Sequence, residues 1–200
     1  MTPSVVVFDI GGVLVDWQPH LAWAEEFETE ADTLAFMARV DFFARNLRGD
    51  SGERFADMAR ELEDPEDQRR LAAYVPNYAK TVVSAFAGTW DILDELKSKD
   101  VPVHAITNWS AETWPEGLKI HPRLGEVFGT LVVSGEEGVI KPDPRIFEML
   151  CERASVAPAN CVFIDDSPKN VDGAKAAGWD AIHFTGAEAL RAALEQRGLL

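Results

Sequence analysis

Apolar and polar positions along the chain follow two regimes that change near residue 88. Beyond it, short apolar runs alternate with stretches whose apolar residues recur at helical spacing, the pattern of a parallel sheet with connecting helices. The spacing predicts a helix over Thr89–Lys99 with Trp90, Leu93 and Leu96 on one face, and a strand over Val101–Ile106 ending at Thr107-Asn108. A short strand over Leu131–Val133 ends near Ser134-Gly135. Asp143-Pro144 opens a helix carrying Ile146, Phe147, Met149 and Leu150, since a short acidic residue before a proline is a helix-start signal. Cys161–Ile164 is the next strand and ends at Asp165-Asp166. Ser167-Pro168 repeats the start signal for a helix through Ala176, closed by Gly178. A strand over Ala181–Phe184 and a helix over Ala187–Arg197 complete the series.

The N-terminal part reads differently. Val5-Val6-Val7-Phe8 is a run of β-formers that stops at Asp9 and is followed by Ile10, Gly11 and Gly12, so a buried strand delivers one carboxylate to the edge of a sheet. Residues 18–85 then show helical spacing with no convincing strand before Tyr74. Asp50-Ser51-Gly52-Glu53 has the spacing of a capping box ahead of Phe55, Met58 and Leu62, and Asp64-Pro65 starts another helix. Leu21, Trp23, Phe27, Leu34, Phe36, Phe42 and Phe43 are expected to form mostly this segment's own core.

Two hundred residues with 46% hydrophobic content suit one α/β core with a small inserted unit. A net charge of −15 argues against a nucleic-acid or anionic-membrane partner, because such surfaces need clustered Lys and Arg. It does not forbid an anionic substrate held by a cation and a lysine. Cys151 and Cys161 are too few for a disulfide framework, and neither has a nearby His or basic cluster that would activate a thiol. No apolar stretch approaches membrane-spanning length and no leader pattern is visible, so a cytoplasmic location is expected, as a monomer or homodimer.

Strand ends in a parallel sheet point the same way, so Asp9-Ile10-Gly11-Gly12, Thr107-Asn108, Lys141-Pro142 and Asp165-Asp166 can meet at one crevice. They supply a nucleophilic carboxylate, a hydroxyl and amide donor, a cation, and a pair of carboxylates. Adjacent acids beside a third carboxylate call for a neutralising ion, and hard oxygen ligands without Cys or His favour Mg²⁺. Lys141 and the Thr107 hydroxyl would then hold a phosphoryl group while Asp9 attacks phosphorus.

In this order the four motifs resemble those of the haloacid dehalogenase superfamily of hydrolases: Phe8-Asp9-Ile10-Gly11-Gly12-Val13-Leu14, Ile106-Thr107-Asn108, Lys141-Pro142-Asp143-Pro144-Arg145-Ile146-Phe147, and Phe163-Ile164-Asp165-Asp166-Ser167 continuing through Asn170 and Asp172-Gly173-Ala174. The resemblance covers nearly the whole chain and implies a Rossmann-like catalytic core over 1–16 and 86–200, with a helical cap insertion over 17–85. It implies that Asp9 is the nucleophile, forming an aspartyl-phosphate. The metal set would be Asp9, the carbonyl of Gly11, Asp166 directly, and Asp165 through water or orientation. Gly12, Thr107, the backbone around Asn108, and Lys141 would bind the phosphate of a small phosphorylated substrate.

Phosphatases of this family usually carry a second Asp two residues after the nucleophile, where it protonates the leaving oxygen and later activates water. Here that position is Gly11. Three readings stay open: a phosphatase whose proton comes from elsewhere, with sugar phosphates among the candidate substrates; a metal-independent 2-haloacid dehalogenase; and a non-catalytic phosphate-ligand-binding protein. Members with Gly at this position resemble sugar-phosphate phosphatases. Asp16 and His20 are the substitute acids closest in sequence. Trp17, Trp109 and Trp114 are expected near the mouth of the site, with Trp114 the better candidate for plain packing, and Lys119, His121 and Arg123 on a solvated loop.

Overall fold

The computed structural model describes residues 3–200; residues 1 and 2, the start of the expected core, lie outside the described residues. The N-terminal strand β1 (Val5–Phe8) leads into a short β2 (Val15–Asp16), a 3-10 turn at Pro19–Trp23, and helices α1 (Glu30–Arg39), α2 (Phe42–Asp50), α3 (Phe55–Ala59), α4 (Pro65–Ala72) and α5 (Tyr74–Asn77). A 3-10 turn at Tyr78–Val82 precedes β3 (Ser84–Ala85). Alternation follows: α6 (Ala87–Ser98), β4 (Val103–Thr107), α7 (Trp114–Ile120), β5 (Leu131–Val133), α8 (Ser134–Glu137), α9 (Pro144–Ala154), β6 (Cys161–Asp165), α10 (Pro168–Ala176), β7 (Asp180–His183) and α11 (Ala187–Glu195).

Five of the strands form one parallel sheet in the order β5-β4-β1-β6-β7, the Rossmann-like α/β architecture the alternation predicts. β1 lies in the middle, Val6 opposite Val103 on one side and Val162 on the other. Successive side chains point to opposite faces, and both faces are covered. Val6 and Phe8 therefore join one apolar cluster with Val103, Ala105, Val162 and Ile164, while Val5 and Val7 join another with Ile106, Phe163, Phe147 and Trp179. The strand order reverses at β1, which opens a crevice at the carboxyl edge where Asp9 emerges.

Several boundaries move for physical reasons. β4 begins at Val103, not Val101, because Pro102 has no amide for the ladder and contributes only its carbonyl, to Val6 N at 3.0 Å. The capping box at Asp50-Ser51-Gly52-Glu53 is not formed. Asp50 instead ends α2, and Glu53 accepts from Arg48 Nη2 at 2.6 Å and from Arg48 Nε at 3.0 Å. The α3 amide of Phe55 is capped from afar by Glu112 Oε2 at 2.7 Å. Asp64 does cap α4, accepting from Glu66 N and Asp67 N. Ser167 makes no side-chain cap bond on α10; its amide is donated to Asp165 Oδ1 at 2.8 Å.

The segment between β2 and β3 folds around its own aromatic cluster. Trp23, Phe36, Phe42, Phe55 and Tyr74 are fully buried, with ring centroids of contacting pairs 4.8–5.3 Å apart. Leu34 and Phe43 are exposed, contrary to expectation, because on α2 the side chain next to buried Phe42 is turned away from the face that packs. β2 and β3 pair antiparallel, Val15 with Ala85 and Asp16 with Ser84, so the chain leaves and rejoins the sheet region at adjacent points. Among the described residues no helix is long and apolar enough to cross a membrane.

One contact fixes the loop that carries Lys141. α10 approaches it so closely that a Cβ on Gly173 would lie 2.5 Å from Pro142 Cβ and 3.1 Å from its carbonyl oxygen. Neither the proline ring nor the backbone can swing aside, so Gly173→Ala should destabilise the fold by about 1–3 kcal/mol through overpacking. Thermal or urea unfolding checks this, and a variant as stable as the parent would show that the loop yields.

Candidate active site

The site is assembled from strand ends. Asp9 follows β1 directly, its amide still donated to Ile164 O of the neighbouring strand at 2.8 Å. The turn after it is tightly wound: Leu14 N and Val15 N both bond Ile10 O, and Gly12 N bonds Val15 O at 2.8 Å. Gly12 sits at φ 76°, and a Cβ there would lie 2.5 Å from Asp166 Oδ2, so glycine is needed on two counts. Its amide is donated within the turn, beside the Asp166 carboxylate. What Gly12 provides is room for the Asp166 carboxylate.

Lys141 is the hub. It is 2% exposed, and its ammonium touches Asp9 Oδ1 at 2.9 Å, Asp165 Oδ2 at 2.8 Å and Ile106 O at 3.0 Å, which accounts for all three N–H donors. It also lies 5.2 Å from the centroid of the Phe163 ring. Asn108 pins this lysine's backbone from both sides, accepting from Lys141 N at 2.8 Å and donating to Lys141 O at 3.1 Å. The Lys141 ammonium is thus set at the centre of the cluster, directly beside the Asp9 carboxylate. Thr107, the last residue of β4, is buried at the strand end next to Asn108.

Asp165 is fully buried and saturated by Lys141, the Ser167 amide and Asn170 Nδ2 at 3.1 Å. It orients the lysine and the start of α10. Asp166 is exposed toward the cavity. Asp9 accepts from its neighbour Ile10 N at 2.6 Å and from Lys141 on Oδ1, and no protein donor among the described residues takes Oδ2. Burial pushes the Asp9 carboxyl well above its usual range; Lys141 opposes this, while Asp165 and Asp166 add to it. Burial would strip the lysine of its proton, but Asp9 and Asp165 outweigh it and hold the ammonium above its ordinary value.

One oxygen from each of Asp9, Asp165 and Asp166 lies within 4.8 Å of the others. When ionised, these three acids exceed the lysine by two negative charges, which is the charge of a divalent cation. Hard oxygen donors, a surplus of this size and no sulfur or imidazole in the set fit such an ion.

The cluster forms the floor of a cavity of about 520 Å³ whose walls come from both parts of the chain: Asp9, Gly11, Gly12, Asn108, Trp109, Thr113 and Asp166 from the strand-end loops, Asp16 from β2, Phe86 from the residue before α6, and Trp17, Asn46, Asp50 and Tyr78 from the helical segment. The amides of Gly11 and Asn108 find no protein acceptor among the described residues, which leaves two N–H donors at the floor. A Cβ on Gly11 would meet nothing within 4 Å. Trp17 and Trp109 line the cavity as expected; Trp114 packs edge-on against Trp109 at 5.1 Å behind it. Of the two candidate acids, Asp16 lines the cavity, with Gln18 Nε2 2.5 Å from its Oδ2, and His20 does not. Asn46, Asp50, Tyr78 and Phe86 are wall residues the sequence did not mark. Lys119 is paired with Glu116 and Arg123 with Asp94, while the His121 ring bonds Val82 O, so the basic loop is occupied by its own contacts. Both cysteines are buried, and burial pushes the Cys161 thiol up to about 12.

A family model described as haloacid dehalogenase-like hydrolase matches residues 3–178. Among characterised proteins, the chain is 26% identical over 184 residues to a phosphorylated carbohydrates phosphatase of Thermotoga maritima, covering 90% of this chain and 84% of that one. Among solved structures it resembles a magnesium complex of the HAD-family enzyme bt-2542 from Bacteroides thetaiotaomicron, with TM-score 0.71, 20% identity, and 93% and 95% of the two chains covered. It also resembles an L-2-haloacid dehalogenase from Xanthobacter autotrophicus, with TM-score 0.67, 22% identity, and 97% and 83% covered. At these identities the two structures share a fold with this chain.

Removing the lysine tests the hub directly. Lys141→Met leaves Asp9 and Asp165 buried without their counter-charge, and should cost about 3–5 kcal/mol of unfolding free energy at neutral pH. Urea unfolding reads the loss; a deficit below about 1 kcal/mol would mean the carboxylates are hydrated rather than paired.

Proposed function

The chain belongs to the haloacid dehalogenase-like hydrolases, and on that premise we propose that it is a Mg²⁺-dependent phosphomonoester hydrolase of small phosphorylated metabolites, with Asp9 as nucleophile. The observation that carries this reading is the Asp9 carboxylate itself. It stands at the end of the central strand, one oxygen fixed by Lys141 and the Ile10 amide, the other with no protein donor, at the floor of a cavity. A carboxylate oriented in this way is a positioned nucleophile.

In this reading Asp9 Oδ2 attacks phosphorus in line with the ester oxygen and forms an aspartyl-phosphate, which water then hydrolyses. The Gly11 and Asn108 amides donate to phosphoryl oxygens, as preorganised dipoles whose orientation costs nothing during the reaction. Lys141 favours the ionised form of Asp9 and aims it. Asp9, Asp166 and the Gly11 carbonyl would hold the cation, with Asp165 orienting the group around it. When bound, that ion would offset carboxylate charge and withdraw electron density from the phosphoryl group. The helical segment over 17–85 serves as a cap that closes the cavity over the substrate.

The walls bear on the substrate. Trp17, Tyr78, Phe86 and Trp109 offer ring faces, Asn46, Asp16 and Thr113 offer polar atoms, and no Lys, Arg or His lines the cavity. A neutral, hydroxyl-bearing leaving group suits such walls better than one with a second anionic group, because among the described residues the lining carries carboxyls and no cation to meet it. The carbohydrate phosphatase among the relatives agrees with sugar phosphates as the class to try first. The acidic pair Asp165-Asp166 argues against a metal-independent dehalogenase.

Phosphate release from a panel of sugar monophosphates should require Mg²⁺, stop with EDTA, and fall by more than about 10³-fold in Asp9→Asn with the fold retained. Chloride release from 2-chloropropionate that ignores EDTA would replace this reading with the dehalogenase. Silence in both assays would leave a phosphate-ligand-binding protein.

A further inference from the structure

The cavity wall supplied by the helical segment carries one carboxyl to which the phosphatase reading gives no task. Asp50, the last residue of α2, is 7% exposed and shares the cavity with Asp9, Gly11 and Asp166. Among the described residues no Lys, Arg or His forms an ion pair with it; its one side-chain partner is Asn46, which donates to Oδ2 at 3.0 Å. Its backbone is held to the opposite wall. Ser134 Oγ donates to Asp50 O at 2.6 Å and accepts from Trp109 N at 3.0 Å, tying the end of α2 to the loop after β4 and to the start of α8.

The charged and titratable groups around Asp50 come from three directions. Lys141 and the Ser110 amide favour its ionised form; Tyr74 and Tyr78 are buried phenols, themselves pushed to higher pKa, and uncharged near neutrality. Burial outweighs the lysine and the amide and pushes the carboxyl up to about 7. The carbonyl end of α2 also disfavours negative charge at this position. Across the cavity, Gly11 offers no side chain and open space where one would stand. The site as described has a nucleophile and phosphoryl-binding amides, and no group assigned to protonate the leaving oxygen.

We propose that Asp50 is the proton donor and acceptor of the reaction. In the first step Asp9 Oδ2 bonds to phosphorus as the ester P–O bond breaks, and the Asp50 carboxyl proton goes to the departing oxygen, releasing a neutral alcohol. In the second, water attacks the aspartyl-phosphate, its proton passes to the Asp50 carboxylate, and the Asp9–P bond breaks, releasing inorganic phosphate and restoring both acids. The inference rests on the phosphatase reading of the same site. A carboxyl balanced near neutrality suits both steps, since it must give a proton in one and take it in the other.

Leaving-group dependence separates a proton donor from a residue that only supports the wall. The measurement is kcat/KM for glucose 6-phosphate and for 4-nitrophenyl phosphate, in the parent, Asp50→Asn, Asp16→Asn and Asp50→Asn/Gly11→Asp, all with Mg²⁺. Asp50→Asn should lose about 10²–10⁴-fold on the sugar phosphate and less than about tenfold on the aryl phosphate, whose phenolate leaves without a proton. Gly11→Asp in that background should restore part of the sugar-phosphate activity. The parent's kcat/KM for the sugar phosphate should fall as pH rises through about 7, where Asp50 loses its proton, and Asp50→Asn should lack that limb. Equal loss on both substrates, no loss on the sugar phosphate, or the selective loss appearing in Asp16→Asn instead would overturn the assignment while leaving Asp9 its role. If Asp50→Asn does not fold, a series of aryl phosphates on the parent decides: kcat/KM nearly independent of phenol pKa supports the donor, and a steep fall overturns it. A parent inactive on both substrates overturns the phosphatase reading, and this inference with it.

Discussion

A single buried ammonium holds the functional edge of this sheet together. Lys141 draws its three contacts from the ends of three strands: Asp9 after β1, Ile106 O within β4, and Asp165 at the end of β6. None of the three would sit comfortably so close to the others without it, since two are buried carboxylates. A compact point charge with three donors suits a trigonal cage of oxygens, whereas the flat fork of an arginine would present its donors in one plane. The cage also explains why so much of the surroundings is rigid. Asn108 clamps the lysine's backbone, Pro142 abuts α10 at Gly173, and Asn170 fills the remaining bonds of Asp165. The stability of the edge and the orientation of the Asp9 carboxylate are thus one property.

Much of this was legible in the chain. The apolar runs that end in Asp9, in Thr107-Asn108 and in Asp165-Asp166 announce strands because both faces of a covered parallel sheet must be apolar, and they announce a site because polar residues at their ends have only one edge to occupy. What the pattern could not reveal was how each polar group is used. No local signal announces that three protein oxygens meet at the Lys141 ammonium, or that Gly12 leaves the space Asp166 needs, since both depend on distances of an ångström or two.

Asp50 shows the same limit from the other side. Asp-Ser-Gly-Glu carries a strong local signal for a helix start, and local signals are all that spacing can report. The structure continues α2 through Asp50 because Arg48 captures Glu53 and Glu61, removing the glutamate the cap would need. A carboxylate on the last turn of a helix is the trace left in the sequence, and it becomes meaningful only once the packing of α2 against α8 is known.

The short pair of β2 and β3 has a consequence for how such a chain can change over generations. Because Val15 pairs with Ala85 and Asp16 with Ser84, the two ends of the helical segment are stapled side by side, and the large sheet receives the same strands in the same register whatever lies between them. The ends of the segment are already closed, so lengthening it adds little loop entropy. A lineage could exchange the whole helical segment, and with it the cavity walls it supplies, while Asp9 and Lys141 are inherited untouched.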